Sequence, residues 1–178
     1  MSYNDGRPVP AYLRSEALPV VSFSGGKDSL CTLLMAIDQF GADNIRIVTA
    51  DTDNENPLTV EYINETIPTK LGVKIDVVKA DFTAKIAKKR QYVETVWVSE
   101  GVPDEIVRAA LETLAPTGNV FLDLCIWKGR FPSRRAQFCT QELKSGPLSE
   151  YLDNVIASTS LHVESWQGVT LPRTCPQV

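Results

Sequence analysis

An apolar run from Leu18 to Phe23 stops abruptly at Ser24-Gly25-Gly26-Lys27-Asp28-Ser29. An apolar-periodic stretch then follows through Leu30, Leu33, Leu34 and Ile37 to Phe40, before Gly41. This order reads as a buried strand, a tight loop and an amphipathic helix. The loop is suited to holding an anion. Two glycines let backbone approach a ligand without an intervening side chain. The helix that follows points its unpaired N–H groups and the positive end of its dipole at the same place. Ser24 and Ser29 add hydroxyls, and Lys27 adds a mobile positive charge. We read the segment as a phosphate cradle. It is not a Walker A loop, because no glycine occupies the four positions before Gly25, and it is not a G-x-G-x-x-G turn.

The next segments repeat the alternation of strand and helix. Asn44 to Ala50 is rich in β-branched residues and reads as a second strand. It runs into the polar stretch Asp51-Thr52-Asp53-Asn54-Glu55-Asn56-Pro57. Pro57 suits the first turn of a helix, which Leu58, Val60, Tyr62, Ile63, Ile67 and Leu71 continue. Pro68 is expected to kink this helix or end it early, and Gly72 to stop it. Val73 to Val78 alternates as a third strand. Strands separated by helices indicate a parallel α/β sheet. Ligands of such sheets sit beyond the carboxyl ends of the strands, the edge where loops 24–29 and 51–56 are expected. The second loop offers backbone groups to adenine or carboxylates to a cation. Alternating acids in a turn are usually solvated, and no metal ligands are assigned. The 178 residues are expected to form one domain, with an irregular lead-in over 1–17 and an irregular tail over 170–178.

Composition excludes several classes. The 43% apolar and 22% charged content is ordinary for a soluble globular protein. A net charge of −4 argues against broad nucleic-acid binding, leaving room for a local basic patch. The cysteines, Cys31, Cys125, Cys139 and Cys175, contain no C-x-x-C pair and suggest neither a disulfide framework nor a zinc site. Neither a signal peptide nor a membrane-length apolar run is expected from the sequence, and a reducing cytoplasm is the expected compartment. Residues 81–116 read as helical. Phe82, Ile86 and Ala87 share a face, and Lys88-Lys89-Arg90 is expected to be solvated. A second helix from Val102 to Leu114 is begun by Pro103 and Asp104, and Trp97 is expected in the core or an interface. Lys128, Arg130, Arg134 and Arg135 then place four positive charges within eight residues, with Lys144 following on a helix. Arginine forks suit phosphate or sulfate oxyanions. Leu161 to Val169 reads as a strand leading into a glycine turn.

Three blocks carry a family resemblance. Ser24-Gly25-Gly26-Lys27-Asp28-Ser29 after a strand resembles the pyrophosphate-binding loop (PP-loop) of the adenine nucleotide alpha-hydrolase superfamily. Ala50 to Thr59 resembles the second signature of its phosphoadenosine phosphosulfate (PAPS) reductase-like family. There the usual pattern is Asp-Thr-Gly-x-Glu-His-Pro, so Asp53 replaces glycine and Asn56 replaces histidine. Arg134-Arg135-Ala136-Gln137-Phe138-Cys139-Thr140 with Leu143, Lys144, Pro147 and Leu148 is similar to the phage and bacterial members. The resemblance implies a three-layer, Rossmann-like parallel sheet flanked by helices. It implies a nucleotide site made by Ser24, Gly25, Gly26, Lys27, Asp28 and Ser29, by Asp51 and Thr52 near adenine, and by Arg134, Arg135 and Lys144 around the sulfonucleotide. Lys27, Cys139 and Cys175 are the catalytic candidates. The implied ligand is PAPS, or ATP with or without Mg²⁺, and the implied partner is a thioredoxin-like thiol donor. Homo-oligomerisation stays open. Reductases proper carry Glu-Cys-Gly-x-His in a mobile tail, whereas Thr170 to Val178 holds Cys175 in another context. Three readings follow. One is thiol-dependent reduction of PAPS to sulfite and 3′-phosphoadenosine 5′-phosphate, or related sulfur transfer. Another is ATP pyrophosphatase or adenylating chemistry. The third is a catalytically degenerate nucleotide- or protein-binding module of phage or mobile-element origin.

Overall fold

A computed structural model describes residues 17–168. Cys175 and Arg173, with the rest of the tail and the lead-in before residue 17, lie outside the described residues. Four strands, β1 Ala17–Ser22, β2 Arg46–Asp51, β3 Asp76–Lys79 and β4 His162–Gln167, form a parallel sheet in the order β3-β2-β1-β4. β1 pairs with β2 at Val20↔Arg46 and Ser22↔Val48, and with β4 at Ala17↔His162 and Ser22↔Gln167. Helices flank the sheet, as the alternating pattern predicts. The chain divides into two compact units. Among the described residues one comprises 17–49, 56–77 and 148–168, and the other 50–55 and 78–147.

The first unit is built on α1 Lys27–Phe40, whose Leu33 and Ala36 are buried with Val21, Phe23, Ile45, Ile47, Ile63 and Ile67. α2 Pro57–Glu61 starts under a side-chain cap, in which Asn56 Oδ1 accepts the Leu58 N–H at 2.9 Å. The residue that departs from the family signature thus closes an orphan amide of the helix start. A π-helical turn, Tyr62–Thr66, joins α2 to α3 Ile67–Leu71. The expected early end at Pro68 does not occur, and the helix runs on to Gly72. A proline inside a helix lacks an N–H and crowds the carbonyl four residues back. Here the wider turn immediately before it, with Ile67 N–H reaching back to Tyr62 O, gives a different hydrogen-bond spacing at that point. The third strand also starts later than expected. Val73 N–H donates to Pro68 O as part of the turn that ends α3, so pairing begins only at Asp76. Asp76 accepts the Tyr151 hydroxyl at 2.6 Å and an ion pair from Lys74 at 3.0 Å. Burial and this carboxylate push the Tyr151 phenol up to about 12.

The second unit has its own core of Phe82, Ile86, Val93, Val107, Leu114, Val120, Leu124 and Leu143, with Trp97 packed against it. It contains α4 Thr83–Tyr92, a π-helical turn Val93–Trp97, α5 Asp104–Thr113, α6 Val120–Lys128, α7 Phe138–Thr140 and a π-helical turn Gln141–Ser145, which leads into α8 Gly146–Ser158. The run Lys88-Lys89-Arg90 is not a merely solvated face. Arg90 Nη1 donates to Leu111 O and Leu114 O, closing carbonyls at the end of α5, and Lys89 Nζ donates to Trp127 O at 3.0 Å. No described helix is long and apolar enough to cross a membrane.

Candidate functional site

In the first unit the loop from Ser24 to Ser29 is held by its own hydroxyls. Ser29 is buried, and its Oγ accepts from Ser24 N–H and Ser24 Oγ, both at 3.2 Å. Its own proton goes to Gly26 O at 2.9 Å. Ser29 therefore shapes the loop, while Ser24, Gly26 and Lys27 face solvent. Gly25 has φ +75°, and a Cβ built there would stand 3.1 Å from Thr59 Cγ2 and 3.2 Å from Ile63 Cδ1. The backbone conformation favours glycine, and a Cβ would press on the Thr59 and Ile63 side chains. Gly26 is the N-cap of α1 and brings no side chain over the helix end. The first-turn amides of α1 and the exposed Lys27 thus lie at one corner, the arrangement a phosphate oxyanion needs.

Gly168, just past β4, completes this corner. A Cβ on it would fall 2.6 Å from Asp28 C and 2.7 Å from both Asp28 O and Ser29 N. Its backbone lies directly on the peptide that opens α1. Sequence reading places a glycine turn here without linking it to the loop. The link follows from the β1–β4 register, in which Ser22 pairs with Gln167.

In the second unit Asp51, the last residue of β2, and Thr52 open a loop held by short-range bonds. Asp51 Oδ1 accepts Asp53 N–H at 2.9 Å, and buried Thr52 Oγ1 bonds Glu55 Oε1 at 3.2 Å. Asp53 occupies the position where the family signature has glycine and adopts φ +53°. Its carboxylate accepts Val120 N–H at 2.7 Å, at the start of α6, and pairs with Lys79. Its carbonyl accepts Asn119 Nδ2 at 3.1 Å. The Lys79 hydrogen bond, then the Val120 amide, hold the Asp53 carboxyl below the usual carboxylate range, and the same pair raises Lys79. Lys79 also lies 3.3 Å from Asp51, and Glu55 takes Lys144 at 3.1 Å. The loop's carboxylates are thus balanced by lysines. Among the described residues no group of three or more His, Cys, Asp or Glu side chains is arranged to hold a metal ion.

The basic block of this unit resolves into paired and unpaired cations. Phe82 and Trp127 stack at 5.5 Å and 18°. Lys85 and Lys128 lie over Trp127 at 4.2 and 3.9 Å and share Glu142 at 3.5 and 2.7 Å. Burial would raise the Glu142 pKa, but Lys128 and Lys85 outweigh it and hold the group below its ordinary value. Ser133 and Ala136 exchange backbone hydrogen bonds of 3.2 and 3.0 Å, so Arg134 and Arg135 form the tip of a two-residue turn, both exposed. Among the described residues neither has a carboxylate partner. Cys139 is a half-buried free thiol packed on the core, and Cys125 is buried, which raises its thiol pKa, with Cys139 adding to the effect.

Sequence reasoning missed Lys79, Asn119 and the Val120 amide as supports of the second loop. It also missed Glu142 as the counter-ion of the basic block. A lone lysine at the end of a short strand carries no local mark of its partner.

A sequence model of the phosphoadenosine phosphosulfate reductase domain matches residues 18–108, a stretch that contains both loops. The chain is also similar to a protein of Escherichia phage 186 described as an "uncharacterized 37.8 kDa protein in gpa 5'region". The two are 41% identical over 160 residues, which is 84% of this chain and 46% of the phage protein. The chain thus spans about half the length of this relative.

Proposed function

Because the chain belongs to the phosphoadenosine phosphosulfate reductase domain family, we propose that it binds an adenine sulfonucleotide and supports thiol-dependent cleavage of its sulfonate. The observation that carries this reading is the corner formed by Gly25, Gly26, Lys27 and the first turn of α1, with Gly25 at φ +75°. In this reading that corner takes the phosphates. The family resemblance assigns Asp51 and Thr52 to adenine and Lys144 to a further oxyanion. A thiolate attacks the sulfonate sulfur, the S–O bond to the nucleotide breaks, and 3′-phosphoadenosine 5′-phosphate leaves. A second thiol attacks the resulting thiosulfonate, releasing sulfite and leaving a disulfide. Cys139, Cys175 or a thioredoxin-like partner supplies the thiols. The loop contributes position and charge stabilisation to this chemistry, with no covalent step of its own.

The test is isothermal titration calorimetry with 3′-phosphoadenosine 5′-phosphate and, separately, with ATP and Mg²⁺. The reading expects tighter binding of the 3′-phosphorylated nucleotide, weakened about tenfold or more in Lys27→Ala, since charge-assisted bonds to phosphate contribute about 1.5–3 kcal/mol. Preference for ATP would assign the site to pyrophosphatase or adenylating chemistry instead. Absence of binding to either nucleotide would refute the reading.

A further inference from the structure

We propose that the turn carrying Arg130, Phe131, Arg134 and Arg135 is a docking element for single-stranded nucleic acid, a surface additional to the mononucleotide corner. The first argument is charge. Residues 128–138 hold four cations and no acid, in a chain of net charge −4. Lys128 is committed to Glu142 and Trp127. Among the described residues Arg130, Arg134 and Arg135 have no carboxylate partner, and Arg130 lies over the Phe138 ring at 5.6 Å. Three guanidiniums left unpaired within six residues favour a ligand with several phosphates in a row.

The second argument is the aromatic ring. Phe131 is 67% exposed, and among the described residues no other ring packs on it. It stands between Arg130 and the two-residue turn whose tip is Arg134 and Arg135. An exposed ring flanked by arginines is the arrangement on which an unpaired base stacks while its phosphates meet the cations. A duplex offers the same phosphates but keeps its bases stacked inside, so a single strand is the better match. Ser133 and Ala136 close the turn with backbone hydrogen bonds in both directions.

This inference does not depend on turnover or on the mononucleotide reading. The experiment uses fluorescence anisotropy of the intact protein with a labelled short oligothymidylate, over a range of salt concentrations. The same protein is titrated with 3′-phosphoadenosine 5′-phosphate as a separate measurement. Phe131→Ala, an exposed position whose loss leaves the core intact, is expected to weaken oligothymidylate binding about tenfold or more. Arg130→Ala is expected to flatten the slope of log affinity against log salt by roughly 0.7. Neither variant is expected to change affinity for the mononucleotide. Unchanged oligothymidylate affinity in Phe131→Ala would overturn the proposal. So would duplex bound as tightly as single strand, or anionic vesicles competing as well as oligonucleotide. If Phe131→Ala and Arg130→Ala weaken the mononucleotide equally, the turn belongs to the nucleotide site and the proposal also fails. If no mononucleotide binds but oligothymidylate does, with the expected loss in Phe131→Ala, the proposed function fails and this inference stands.

Discussion

Replacing Gly25 by alanine separates two costs that the phosphate loop avoids. The first is conformational, since an L-residue at φ +75° pays roughly 1–2 kcal/mol. The second is crowding, because the new Cβ would stand 3.1 Å from Thr59 Cγ2 and 3.2 Å from Ile63 Cδ1 and Cγ1. Both neighbours belong to the helix run from Asn56 to Gly72, and Ile63 is part of the core. Overpacking of this kind costs about 1–3 kcal/mol. Together the expected loss is about 2–5 kcal/mol. Gly72→Ala is the internal standard. It has φ +64° and nothing within 4 Å of a built Cβ, so it carries the conformational cost alone. Equilibrium urea unfolding followed by tryptophan fluorescence reads both variants. Trp166, packed edge-on against Phe40 at 5.5 Å, reports the first unit. The expected excess of Gly25→Ala over Gly72→Ala is about 1–3 kcal/mol, and trimming Ile63 to valine in a double-mutant cycle should recover part of it. Equal losses for the two alanine variants would refute the crowding argument and leave Gly25 explained by backbone conformation alone.

Two further outcomes follow from the polar contacts. Asp53→Gly keeps a backbone that tolerates φ +53° but strips Val120 N–H and Lys79 of their acceptor. The expected destabilisation is about 1–3 kcal/mol, smaller in Asp53→Asn, and a glycine variant as stable as wild type in urea would show that the clamp contributes nothing. Tyr151 is raised from 10.0 to about 12, so its folded pKa exceeds its unfolded one. Its stabilising contribution is complete below pH 10 and lost as pH rises through about 12. Thermal melts between these pH values should therefore show a decline that Tyr151→Phe removes, and an unchanged decline in the variant would place its cause elsewhere.

The β1–loop–α1 corner was legible because its cause is local. An apolar run, two glycines and a 3.6-residue periodicity stand side by side in the chain. The family blocks added the second loop, and the parallel sheet follows from their alternation. Other features were hidden for identifiable reasons. α6 shows no periodicity because Val120 to Ile126 is apolar on nearly every side apart from Asp123, which is buried and accepts Thr117 N–H at 2.7 Å and Thr117 Oγ1 at 2.8 Å. Pro68 signals a break, but the π-helical turn before it depends on a hydrogen-bond choice that sequence does not display. The ion pair of Glu55 with Lys144 joins residues 89 positions apart, and pairing over such distances leaves no local pattern. Asn56 and Asp53 looked like losses from a family signature. Each instead takes a structural duty, a helix cap in one case and a clamp on α6 in the other.

The seat of Gly168 on the Asp28–Ser29 peptide has a consequence for the order of assembly. Strand, loop and helix of the phosphate corner are contiguous, yet the backbone that closes against them arrives 140 positions after Asp28. At ribosomal rates of about 5–20 residues per second, that interval lasts roughly 7–28 s. Throughout it β1 has no β4 beside it, and parallel pairing over so long a separation is intrinsically slow to nucleate. The corner therefore matures in two stages. A loop with local hydroxyl bonds forms early, and the glycine contact that fixes the first turn of α1 forms only when the chain closes on itself.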